Sequence, residues 1–102
     1  MHLPDVKVLY NRLKASAKKR NIEFNLSVSD MYLIDYPLTC PILGIRMAFN
    51  KGKVQDNSYS VDRIDNTIGY QLDNIHIISY RANILKNKAS ASEMQMLSEY
   101  FK

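Results

Sequence analysis

The sequence predicts a small α+β protein, and three observations carry that prediction. An amphipathic pattern of helical period runs from about Asp5 to Arg20. Strand, turn, strand and helix follow in quick succession between about residues 58 and 88. Ser90 and Glu93 then have capping-box spacing, which opens a last helix over about residues 91–102. At 102 residues the chain builds one core, so residues 1–102 form one domain whose basic helical part occupies about residues 4–35.

In the first helix Val6, Leu9, Tyr10, Leu13 and Ala17 recur at three- and four-residue steps, behind Pro4 at its opening. The opposite face and the end of the helix carry Lys7, Arg12, Lys14, Lys18, Lys19 and Arg20 against one anion, Asp5. Such a ridge is either a solvated face or a phosphate-facing one. IEFNL, residues 22–26, alternates as a short strand, and Ser27 or Ser29 caps a short helix near Asp30 to Ile34. PLTCPILG, residues 37–44, is turn-rich and places Cys40 among apolar residues, where it packs as a small hydrophobe. Asn50 to Ser58 reads as an exposed, mobile polar loop. YSVDRI alternates as a strand, NTIGY turns, and IHIIS is a second strand; Ser79 then caps a helix from about Tyr80 to Lys88. The last helix turns Met94, Leu97 and Phe101 inward as core, with Tyr100 and Phe101 at its end.

Composition narrows the function classes. Hydrophobic residues at 46% and charged residues at 24% describe a globular chain and exclude a disordered one. A solitary cysteine allows no internal disulfide and no CxxC knuckle, which favours a reducing compartment. No apolar run reaches the length of a membrane span, and MHLPDVKVLY lacks the plan of a secretory signal. The expected location is the cytoplasm. The net charge of +4 points to an anionic partner.

The strand–strand–helix unit can aim several groups at one point. Asp62 near the end of its first strand and Asn83 in the first turns of its helix face each other across a narrow gap. A carboxylate and an amide oxygen are hard ligands suited to Mg²⁺, which takes few protein ligands. Asn74, at the start of the second strand, either braces the loop or is a plain turn cap.

These residues resemble a known family. VDRID, GY, DNI, IIS and RAN followed by a lysine look like the HNH, or ββα-metal, endonucleases, in the form of the phage and bacterial relatives of recombination endonuclease VII. AKKRNIEFNLSVSD and CPILGI resemble that group's N-terminal part, so the likeness spans about residues 15–97. It implies a ββα-metal unit with a preceding basic helix and a C-terminal helix, cleaving phosphodiester bonds of DNA with one Mg²⁺ or Mn²⁺. By that likeness Asp62 is the metal-binding Asp, Asn74 the middle Asn and Asn83 the closing metal ligand. The sequence departs from the pattern twice. Ser79 and Ala82 stand where zinc-bearing members carry a cysteine pair, so no structural zinc is expected. Arg63 stands where the family has its general-base His, and a guanidinium does not accept a proton at neutral pH.

Arg63 therefore clamps the phosphate or pairs with Asp65. For the proton the candidates are Asp65, then His76, or metal-bound water with no protein base. Counting strict alternation from Asn74 turns His76 away from the metal. Lys18, Lys19, Arg20, Arg81, Lys86 and Lys88 are the candidate contacts to backbone phosphates. The partner expected is DNA, with no membrane, and a dimer is compatible with the sequence. The leading reading is a metal-dependent DNA endonuclease; the alternative is a catalytically weakened or inactive module that binds nucleic acid or a protein partner on the same scaffold. A small basic interaction protein with no site requires the whole motif to be coincidence.

Overall fold

The computed structural model describes residues 6–50, 52–88, 95–96 and 99–100. The element order is α1 (Val6–Lys19), β1 (Phe24–Asn25), α2 (Val28–Leu33), β2 (Tyr59–Arg63), β3 (Tyr70–Gln71), a 3₁₀ turn (Leu72–Asn74), β4 (Ile75–Ser79) and α3 (Tyr80–Lys88). It is a mixed helix and strand fold with two small sheets. The C-terminal capping box and the inward set Met94, Leu97 and Phe101 lie outside the described residues.

Helix α1 buries Val6, Leu13 and Ala17 on one face, with Leu9 and Tyr10 packed against the core from beside them. It ends where Asn21 takes φ 57°, a left-handed conformation that Asn tolerates better than most residues. The Ile22 amide then reaches back to the Ala17 carbonyl at 2.8 Å, satisfying one of the helix's last orphan acceptors. Lys18 and Lys19 sit in that last turn, where the helix dipole favours cations.

Ser27 caps α2. Its hydroxyl accepts from the Asp30 amide at 3.2 Å while the Asp30 carboxylate accepts from the Ser27 amide at 2.9 Å, a reciprocal capping box. Helix α2 therefore starts at Val28, two residues earlier than its spacing suggested. The core joins Met31, Cys40, Met47, Val61, Ile77 and Ile78 to the inner face of α1. Tyr36, Phe49 and Tyr59 form an aromatic cluster at its edge, with Phe49 and Tyr59 ring centres 4.1 Å apart.

Strands β2 and β4 pair antiparallel with Asp62 opposite His76 and Val61 opposite Ile77. Residues 59–88 thus realise the expected strand, strand and helix. The turn between them is more structured than NTIGY suggested. Tyr70 and Gln71 leave it as β3 and pair parallel with β1, Phe24 against Tyr70. Gly69 permits this approach: a Cβ there would lie 2.5 Å from the Glu23 carbonyl oxygen. The Tyr70 amide donates to that same carbonyl at 2.9 Å. This pairing ties the end of α1 to the loop beside Asp62.

The segment at 50–58 also differs from a free loop. The Asn50 amide bridges Asn57 Oδ1 and Ser58 Oγ, both at 2.9 Å, and Ser58 is buried. Its polar side chains bond one another, which a reading of polarity alone does not anticipate.

Candidate active site

Helix α3 begins directly after β4, so it folds back over the face of β2 that carries Ser60 and Asp62. Ser79, fully buried at the junction, accepts from the Ala82 amide at 3.1 Å and caps the helix start. Along α3, Asn83, Lys86 and Asn87 fall at three- and four-residue intervals and share the side toward β2. Asn83 Nδ2 donates to Ser60 Oγ at 2.7 Å and to the Val61 carbonyl at 3.3 Å, one residue from Asp62. Asn83 Oδ1 accepts from Asn87 Nδ2 at 2.8 Å. Asp62 and Asn83, far apart in sequence, are thereby brought to one face.

Asp62 is 3% exposed, and a buried carboxylate requires partners. It has two, both on Oδ2: His76 Nε2 at 2.7 Å and Lys86 Nζ at 2.7 Å. Lys86 Nζ also donates to the Arg63 carbonyl at 2.8 Å. Lys86, a candidate contact to DNA phosphate by sequence, is paired with Asp62 here, its ammonium drawn inward by that buried charge. The expectation that His76 points away from the metal-binding face is corrected. Asn74 belongs to a 3₁₀ turn, so alternation counted from it has no meaning; the register places His76 directly across from Asp62.

Asn74 is buried and braces the loop after β2. Its Oδ1 accepts from the Asp65 amide at 2.9 Å, and its Nδ2 donates to the carbonyls of Asp65 and Gly69 at 3.0 Å and of Ile68 at 3.4 Å. Asp65 itself is not brought to Asp62. Its carboxylate turns to Thr67, accepting from the amide at 2.9 Å and the hydroxyl at 2.6 Å. The Thr67 hydroxyl, then the Thr67 amide, hold the Asp65 carboxyl below its ordinary pKa, with the nearby Arg63 charge a smaller contribution. A carboxylate so stabilised is a poor acceptor for a water proton. Arg63 forms no ion pair with Asp65 among the described residues; its Nη1 donates to the carbonyls of Asn66 and Ile68, both at 3.0 Å.

A groove of about 900 Å³ runs between α1 and α3 over β2, and Asp62, Arg63 and Asn83 line it together with Arg12 and Arg20. Every recorded hydrogen bond to the Asp62 carboxylate ends on Oδ2, which leaves Oδ1 without a protein donor among the described residues. No group of three or more His, Cys, Asp or Glu side chains there is placed to hold a metal. The donor set is one carboxylate and one amide oxygen, which fits a hard divalent ion that retains most of its waters and excludes a closed structural cage. Lys18, Lys19, Arg20, Arg81 and Lys88 are exposed.

The thiol of Cys40 lies against Ser79, whose amide approaches it at 3.4 Å, with the Leu43 amide at 3.5 Å. Burial raises this thiol's pKa, but hydrogen bonds from Ser79, Leu43 and Ile42 outweigh it and leave the value below the ordinary one. Position 79 and Cys40 are thus neighbours across the core.

Sequence reading missed Ser60, Asn87 and the inward role of Lys86. The signal was present: on a helix, Lys86 and Asn87 share a side with Asn83 by spacing alone.

No protein-family model matches the chain, and no match is found among curated proteins. Among solved structures it is similar to the HNH restriction endonuclease PacI, described for an extraordinary mechanism of DNA perturbation, with a TM-score of 0.64 and 22% sequence identity over 95% of this chain and 76% of that one. At that identity the likeness establishes the fold: this chain has the small α+β architecture of an HNH endonuclease.

Proposed function

We propose that this protein is a metal-dependent DNA endonuclease that hydrolyses phosphodiester bonds, of the endonuclease VII-like kind that its motif residues resemble. The observation that carries the reading is the convergence of Asp62 and Asn83 on one face at the groove, braced by Ser60 and Asn87. Mg²⁺ or Mn²⁺ held by these two oxygens would supply Lewis acidity toward a phosphate. The chain's own residues bind, orient and balance charge. His76 and Lys86 hold the Asp62 carboxylate in position through Oδ2. Lys86 offsets the carboxylate's charge within a buried site. Arg63, next to Asp62 in β2, supplies guanidinium donors toward phosphate, and Asn74 keeps the loop that seats it. Of the two side chains considered for proton transfer, His76 contacts the site and Asp65 faces Thr67. The role passes to His76. The exposed cations of α1 and α3 supply sequence-independent attraction to the DNA backbone.

No helix among the described residues is long and apolar enough to cross a membrane. A cytoplasmic site of action accords with DNA as substrate and with the lone buried thiol.

The decisive experiment incubates supercoiled plasmid with purified protein and Mg²⁺ or Mn²⁺, with EDTA as control. Nicking that disappears in EDTA, and in Asp62→Ala and Asn83→Ala, supports the reading. Cleavage by either variant at the wild-type rate refutes the assignment of the site. Tight binding to DNA with no cleavage in any metal selects the catalytically inactive binding module.

A further inference from the structure

One end of the groove is built around a tyrosine rather than around Asp62. Tyr70 is 4% exposed, yet two guanidiniums approach its ring. The Arg20 guanidinium carbon lies 5.8 Å from the ring centre and that of Arg63 lies 5.4 Å from it. Arg20 Nη2 also donates to the Tyr70 hydroxyl. Both arginines, with Tyr70 and Asp62, line the same groove.

This meeting is long-range. Arg20 follows α1 and Arg63 ends β2; the parallel pairing of β1 with β3 and the absence of a Cβ at Gly69 bring them to one ring. Two like charges held against one ring repel each other, and an anion between them relieves the repulsion. Among the described residues no carboxylate pairs with either; both recorded ion pairs belong to Asp62. Among the described residues each guanidinium retains unused donors. Arg63 uses Nη1 toward two carbonyls, which leaves Nη2 and Nε, and Arg20 uses Nη2, which leaves Nη1 and Nε. Stacking on an aromatic ring with a free donor fork is the way arginine binds phosphate oxygens.

We infer that Arg20, Tyr70 and Arg63 form one phosphate clamp, which grips a single phosphodiester group of the strand lying next to Asp62. Tyr70 is a positioning residue: its ring and hydroxyl hold the two forks toward one group. That the phosphate belongs to a DNA strand rests on the nuclease reading; the anion site itself does not.

The test measures binding to a short labelled duplex in EDTA across a salt series, for wild type, Arg20→Gln, Arg63→Gln and the double variant, each checked for fold by circular dichroism. Each phosphate contact contributes about −0.9 to the log–log slope. One shared phosphate predicts that the double variant flattens the slope by about 0.9. Flattening by about 1.8 means two separate phosphates and overturns the clamp, as does an unchanged slope. Tyr70→Phe keeps the ring and removes the hydroxyl; it weakens binding as Arg20→Gln does, and combining the two adds nothing further. Additive losses overturn the positioning role. Independently of DNA, titration with inorganic phosphate should shift the Nε–H resonances of Arg20 and Arg63 with one shared affinity, whereas a shift of one alone refutes the clamp. Failure of plasmid cleavage with the shared shift intact rejects the nuclease and retains the anion site; cleavage with an unchanged slope in the double variant does the reverse.

Discussion

Replacing Asn74 by alanine tests how the loop after β2 is held, because one buried side chain secures both ends of it. Asn74 makes three hydrogen bonds of 3.0 Å or shorter, to the Asp65 amide and to the carbonyls of Asp65 and Gly69, and a longer one to Ile68. A hydrogen bond contributes about 0.5–1.5 kcal/mol net, so losing the three short ones costs roughly 1.5–4.5 kcal/mol. A central value of about 3 kcal/mol is a large share of the stability of a small domain, which is about 5–15 kcal/mol. It lowers the thermal midpoint by roughly 12–24 °C at about 4–8 °C per kcal/mol. Circular dichroism melts and urea titration read this directly. Asn74→Asp discriminates the cause: it keeps the acceptor for the Asp65 amide but faces a carboxylate toward carbonyl oxygens, so at neutral pH it destabilises at least as much. The same loop holds the Asn66 and Ile68 carbonyls that seat Arg63, so DNA binding in EDTA should weaken in both variants. If Asn74→Ala costs less than about 0.5 kcal/mol, below what a single such bond contributes, the brace is not what holds the loop.

The remaining expectations are narrower. Lys86→Met should destabilise the fold by about 1–2 kcal/mol in urea titration. Removing one partner of a buried pair costs about 3–5 kcal/mol, but here the lysine is partly exposed and His76 stays on Asp62; a neutral or stabilised variant refutes the account. Thr67→Val should raise the Asp65 carboxyl part of the way toward its ordinary value, as read by NMR titration, because it removes the hydroxyl bond, the largest cause of the lowering, and keeps the amide bond. Since the folded value lies below the unfolded one, the stabilisation is present above the unfolded value and lost as pH falls through the folded one. Thr67→Val should therefore narrow the gap between stability at neutral pH and in acid. Cys40, 2% exposed, should react with DTNB only when the protein unfolds; purified protein should carry no stoichiometric zinc, and chelators should leave the melt unchanged. One zinc per chain surviving EDTA dialysis refutes that last expectation.

Local features of this protein were legible from residue order. The 3.6-residue stripe of α1, the capping chemistry of Ser27 and Ser79, the positions of strands β2 and β4 and the burial of Cys40 all depend on neighbours within a few positions. So did the placing of Asp62 and Asn83 along one groove, because a helix following directly on a strand folds back across it. Contacts closed by long loops were a different matter. The parallel pairing of β1 with β3 joins segments more than forty residues apart, and no short-range pattern announces it. It depends on Gly69 lacking a Cβ and on a two-residue strand too short to carry a period. The position of His76 depended on the pairing register of β2 with β4, which a count from Asn74 does not give because Asn74 lies in a 3₁₀ turn. The inward turn of Lys86 followed from burial: a carboxylate 3% exposed draws in the nearest cation, and exposure is a property of the folded chain alone. Sequence determined which groups were available to the site; tertiary structure decided which of them meet, because meeting depends on loop closure and desolvation rather than on spacing along the chain.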